Sequence, residues 1–140
     1  MNKYAIVIPA MLAGLLSTGA FAEPGEYWEV TSRTEMPGMP MAMPATTVKI
    51  CVPKGGASDP RKTSTDRACQ MTDIRTAGNK TSWKVRCERS GEVTTGSGEQ
   101  TTTADGYHGK MRFSSKAGGR DINMSSVYSG KRIGGSCETK

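Results

Sequence analysis

Beyond residue 16 the sequence contains no leucine: Leu12, Leu15 and Leu16 all sit in one N-terminal apolar run. Leucine is a mainstay of packed helices, so its loss from the rest of the chain argues strongly against a helical bundle. Valine, isoleucine and phenylalanine are also scarce, well below the ~20% under which a chain tends toward disorder. Histidine occurs once, as His108, and no Gly-x-Ser-x-Gly stretch is present. A serine-type triad therefore lacks its usual parts. Zinc would need carboxylates or thiolates beside that one imidazole. There is no Cys-x-x-Cys pair, which leaves a thioredoxin-type redox centre without support. No second apolar run approaches the ~18 residues of a membrane-spanning helix.

What is present begins with Met1 to Ala22: Lys3, an apolar run from Ala5 to Leu16, and a small-residue end at Ala20-Phe21-Ala22. This is the pattern of a secretory signal peptide cut after Ala22. No cysteine follows the apolar run, so no lipid anchor is expected there. The 140 residues less these 22 leave 118, enough for one domain over 23–140. Without Lys3 the net charge of +6 becomes +5. The expected location is the periplasm of a Gram-negative cell, or the exterior of any other.

Export changes the meaning of Cys51, Cys69, Cys87 and Cys137. An even set in an oxidising compartment reads as two disulfides, and a core this thin has need of them. Three pairings exist. Cys51–Cys69, closing the polar loop between them, with Cys87–Cys137, tying a central strand to the C-terminus, is the pairing expected.

Turn signals recur at Gly78-Asn79, Ser90-Gly91, Asp105-Gly106 and Gly118-Gly119. Each supplies a residue that tolerates positive φ, as tight hairpins demand. Between them apolar and polar residues alternate with period two. Trp83, Val85 and Cys87 share one face and Lys84, Arg86 and Glu88 the other. Tyr107, Gly109, Met111 and Phe113 alternate with His108, Lys110 and Arg112. Thr94 to Thr103 reads as a strand in which Gly96 and Gly98 mark a bend, a bulge or a close backbone approach. Upstream, Tyr27 to Arg33 and Thr47 to Val52 are strands as well. The Met- and Pro-rich connection 36–44 between them is expected to be extended and polyproline-like. A polar loop from Pro53 to Arg67 has room for a helical turn at most. The fold class is all-β: an antiparallel meander of about seven strands, curved into a single sheet or partial barrel, or folded as a sandwich.

These segments, in this order, resemble a known family. The chain opens on Pro24-Gly25-Glu26-Tyr27-Trp28-Glu29-Val30 and continues with Met36-Pro37-Gly38-Met39-Pro40. Cys51 follows, then the Cys69 to Cys87 block around Gly78-Asn79 and Trp83, then Tyr128-Ser129-Gly130-Lys131-Arg132-Ile133-Gly134-Gly135-Ser136-Cys137. Together they resemble domain of unknown function 3617, small exported proteins of proteobacteria. The resemblance implies an exported four-cysteine domain and brings no catalytic residue with it. One departure, the Gly135-Ser136 step before Cys137, singles out the strand register at that end.

Three features carry chemistry. Met36, Met39, Met41 and Met43 are closely spaced thioethers, and soft sulfur selects Cu(I). The opposing expectation is that they pack against the sheet as adaptable gap-fillers. Lys84, Arg86, Lys110 and Arg112 fall on solvent faces of two strands and form a basic patch if those strands lie close. Such a patch attracts an anionic envelope component. Nucleic acid is not expected, since no aromatic stacking platform accompanies the charge. Finally, a pocket on the sheet lined by Trp28, Trp83, Tyr107, Met111 and Phe113 would take a lipophilic ligand, whereas a filled interior would leave only surface functions. Glu26 and Glu29, three apart on a strand, point to opposite faces and do not form an acid/base pair. The expected function is a non-enzymatic binding or envelope-associated module without a cofactor. Its partner would be an anionic envelope component or another periplasmic protein, and Cu(I) handling is the alternative.

Overall fold

The computed structural model describes residues 23–41, 43–64 and 66–139; the expected signal peptide at 1–22 lies outside them. Seven strands follow one another: β1 (Glu23–Glu35), β2 (Thr46–Pro53), β3 (Cys69–Ala77), β4 (Lys80–Arg89), β5 (Glu92–Thr102), β6 (Gly106–Ala117) and β7 (Arg120–Thr139). One short helix, α1 (Pro60–Thr63), interrupts the β2–β3 connection. The strands make a single open antiparallel sheet in the order β2-β1-β7-β6-β5-β4-β3. Of the forms open to an all-β chain of this pattern, the single sheet is adopted and the sandwich is not.

Local chemistry explains β3 to β7. Ala77 pairs with Lys80, Arg89 with Glu92 and Ala117 with Arg120, so each hairpin turns in two residues. Ser90 and Gly91 have φ of 51° and 82°, and Gly118 and Gly119 have φ of 58° and 79°. These are the conformations that match the right-handed twist of the flanking strands. A two-residue turn fixes register, and with it which side chains face inward.

The β1–β2 hairpin is attached differently. β1 pairs with β7, so the first strand of the domain lies between the second and the last. Consecutive strands β2 and β3 thus occupy opposite edges, and residues 54–68 must cross the sheet to join them. The crossing is pinned along its length. Lys54 N donates to Pro24 O at 3.3 Å, Gln100 Nε2 to Ala57 O at 2.7 Å, and Glu88 N to Ala68 O at 3.1 Å. Arg89 adds an ion pair to Asp66.

The core lies between this crossing and the inner face of the sheet. Trp28, Val52 and Tyr107 form one buried group, and Trp83, Val85 and Cys87 another; Tyr128 packs against both. Glycines make room for the rings. A Cβ at Gly98 would strike the Trp83 indole, one at Gly130 the Tyr107 ring, and one at Gly109 the Tyr128 hydroxyl at 2.5 Å. The close approach expected at Gly98 is therefore made by a ring lying over bare backbone, while at Gly96 a Cβ would collide with the carbonyl of Arg112 on the next strand.

The disulfides differ from the pairing expected above, Cys51–Cys69 with Cys87–Cys137. The bonds are Cys51–Cys137, with Cα atoms 6.0 Å apart, and Cys69–Cys87, with Cα atoms 4.0 Å apart. Cys69 and Cys87 stand directly opposite each other on β3 and β4. Cys51 and Cys137 lie on the two strands that flank β1, beside Gly25. A Cβ on Gly25 would come within 2.8 Å of Cys51 Sγ, so this bridge depends on a glycine. The pairing follows strand order, which puts Cys51 and Cys69 on the two edge strands and gives each another cysteine on a neighbouring or next-but-one strand. Register shifts between β1 and β7 fall at Gly25, Tyr27 and Trp28, opposite the Gly134 to Cys137 stretch that the family departure singled out.

The Met- and Pro-rich connection also differs from expectation. It opens with a tight turn, Met39 N donating to Met36 O at 3.2 Å with Gly38 at φ 90°, before it runs on toward β2.

Candidate functional site

The inner face holds a cavity of about 260 Å³ between the sheet and the crossing segment. Its sheet wall comes from alternate residues of several strands: Trp83 and Val85 of β4, Tyr107, Met111 and Phe113 of β6, Ser126 and Tyr128 of β7, and Val30 and Ser32 of β1. Period-two alternation puts them on one side, and the hairpin registers align them. Met71 and Cys69 close the β3 end, and Pro60, Thr63, Ser64 and Asp66 form the roof. Four of the five residues expected to line a pocket therefore do so. Trp28 does not; it stacks on Tyr107 from behind, with ring centroids 5.4 Å apart.

Ser32, Thr63, Ser64, Asp66 and Ser126 add polar groups to the lining, and the polar groups that brace the site are committed to partners. Gln100 is 1% exposed, and its amide serves two partners. Its Oε1 accepts from Tyr128 Oη at 3.1 Å while its Nε2 holds the Ala57 carbonyl. Asp59 caps α1, accepting from Arg61 N at 3.0 Å and from the Arg61 guanidinium at 3.0 and 2.9 Å. That side-chain hydrogen bond with Arg61 holds the Asp59 carboxyl below its ordinary value. Burial pushes the Tyr107 phenol up to about 12 and raises that of Tyr128 further. Both are neutral donors at any physiological pH. The exception is Trp83: its Nε1 is buried and meets no acceptor, and the same holds for Trp28 Nε1. A buried N–H left unpaired costs about 1–3 kcal/mol.

Sequence reasoning missed Gln100, Tyr128, Met71 and the roof. Gln100 did carry a signal, since it continues the alternation of Gly96 and Gly98. Glycines conceal that this face is the buried one.

On the outer face, Lys84, Lys110 and Arg112 of the expected basic patch line one groove of about 500 Å³. Arg86 is not among its lining residues: it pairs with Glu88 at 2.9 Å. Arg75 takes its place, because a bulge between Thr72 and Arg75 sets Arg75 opposite Ser82. Asp73, at φ 51° within that bulge, reaches Lys84 at 3.2 Å. Lys110 and Lys80 meet Glu99 at 2.9 and 3.6 Å. His108 is exposed on this face, as expected.

The methionines depart from their packing role. Met39, Met41 and Met43 are 61%, 81% and 45% exposed, so none of the three fills a gap in the core. Among the described residues, no group of three or more His, Cys, Asp or Glu side chains is placed to hold a metal ion. No helix among them is long and apolar enough to cross a membrane.

A family model described as "Protein of unknown function (DUF3617)" matches residues 22–137. No curated protein and no solved structure matches the chain.

Proposed function

The chain belongs to the DUF3617 family, and from that premise we propose that it is an exported, non-enzymatic binding module for a small, mainly apolar molecule. The observation that carries this reading is the cavity itself: Trp83, Tyr107, Met111, Phe113 and Tyr128 converge on about 260 Å³. Ligand pockets are typically apolar, with a few fixed polar groups, and range from roughly 300 to 1,000 Å³. This one suits a compact ligand or a single chain. Two disulfides support an oxidising destination. The apolar run of residues 5–16, lying outside the family match, supports delivery by a cleaved signal peptide to the periplasm, or to the exterior of a cell with one membrane.

Titration with the neutral fluorophore phenylnaphthylamine tests the reading. Saturable binding that quenches tryptophan emission is expected, and Met111→Trp, which fills the cavity, should abolish it. Non-saturable uptake, or equal binding by Met111→Trp, would remove the proposal.

The exposure of Met39, Met41 and Met43 favours a second reading, Cu(I) handling by Met36, Met39, Met41 and Met43. Affinity no tighter than micromolar, or unchanged when all four become leucine, removes it.

A further inference from the structure

The outer face of the sheet carries features that the cavity does not use. Its two grooves share Lys84, Ser97 and Arg112, and so run together across the strands. The second, of about 670 Å³, is bordered by Pro37, which brings the methionine-bearing connection to the rim of the basic groove. Ser125, opposite Arg112 on β7, also lines the hollow formed by Glu35 to Met41.

Charge on this face is unevenly committed. Lys80, Lys84 and Lys110 are tied to Glu99 and Asp73. Arg75 and Arg112 are exposed and have no ion-pair partner among the described residues. A guanidinium in that state offers a planar fork that fits a phosphate oxygen pair. Exposed apolar side chains border this face: Val127, half-exposed and in register with Lys110, and Met39 and Met41, which line the hollow shared with Ser125; Met43, two residues further along the connection, is exposed as well.

We propose that this face docks on the surface of an anionic phospholipid bilayer, with Arg75, Arg112 and the neighbouring lysines at the phosphates and the three methionines entering the headgroup–acyl boundary. Cations and apolar side chains on one surface are what interfacial binding uses, the two terms adding. A soluble polyanion would satisfy the arginines and leave the methionines in water, so the exposed thioethers favour lipid. The cavity lies on the opposite face of the sheet and would remain open to solvent in the docked protein. The proposal does not rest on the cavity reading, and fluorophore binding in solution tests that reading separately.

Co-flotation of the purified protein with vesicles is the test. Binding is expected to vesicles containing phosphatidylglycerol, falling with salt, and to be absent with phosphatidylcholine alone. Arg75→Gln with Arg112→Gln should weaken it roughly thirtyfold, from about 1 kcal/mol per cation near the surface. Met39→Ser, Met41→Ser and Met43→Ser together should weaken it at least about tenfold, with the salt dependence retained. All five positions are exposed, so the fold should survive, and near-ultraviolet circular dichroism checks this. Equal binding to neutral vesicles, variants that bind like the parent, or binding to dextran sulfate but not to vesicles would overturn the proposal.

Discussion

Gln100 and Ala57 join the sheet to the segment that crosses it: the buried amide Nε2 of Gln100 donates to the Ala57 carbonyl at 2.7 Å. The same side chain accepts from Tyr128, so one residue ties the roof, β5 and β7 together. This is the polar element on which the cavity's shape depends.

Gln100→Leu should therefore strand the Ala57 carbonyl and the Tyr128 hydroxyl. A loss of about 1–3 kcal/mol is expected from urea unfolding. Hydrogen exchange should quicken across residues 54–68 before it does in the central strands. Uniform quickening would mean that Gln100 serves the whole sheet and not the roof.

The glycines under the rings predict a second class of effect. Gly130→Ala places a methyl against Tyr107, and Gly98→Ala against Trp83. Each should cost about 1–3 kcal/mol through overpacking, read from the urea midpoint at unchanged slope. A neutral Gly98→Ala would show that the Trp83 ring can move aside.

Non-reducing peptide mapping should link Cys51 to Cys137 and Cys69 to Cys87. The sequence separations are 86 and 18. Loop-closure entropy then makes the first bridge worth about 4–5 kcal/mol and the second about 3. Cys51→Ala with Cys137→Ala should be the more damaging pair. A Cys51–Cys69 peptide would contradict the strand order itself.

Alkali should unfold the protein through its buried phenols. Tyr107 ionises at about 12 in the fold against an ordinary 10.0, because burial disfavours the phenolate. The folded chain thus holds a proton that the unfolded chain releases. Stability attributable to Tyr107 is complete below pH 10 and lost as pH rises toward 12, on the order of 2–3 kcal/mol. Tyr128 acts in the same direction. Phenolate absorbance from both should appear together with the loss of secondary structure; earlier appearance would show that the rings are accessible in the fold.

Much of this architecture was legible from short-range pattern. Alternation around Trp83 and Tyr107, with turn pairs at Ser90-Gly91 and Gly118-Gly119, specifies strands, turns and inward faces within a few residues of each other. Four of the five pocket residues could be named for that reason. Arg75 could not, because a bulge is a mismatch between two strands and leaves no mark on either alone. The exposure of the methionines was equally hidden: composition says what thioethers can do, and only the path of the chain says whether a core is there to receive them.

The sequence by itself determined an all-β domain with four cysteines, a thin leucine-free core and a period-two division between apolar and basic faces. These depend on backbone preferences and side-chain chemistry acting over a few residues. Only the tertiary structure decided that β1 lies between β2 and β7. From that one placement follow the Cys51–Cys137 bridge, the crossing of residues 54–68, and the cavity beneath it. Antiparallel edges offer the same backbone donors and acceptors to any partner, so the choice among them rests on how distant side chains pack: rings over glycines, and a glutamine reaching for a carbonyl 43 residues away.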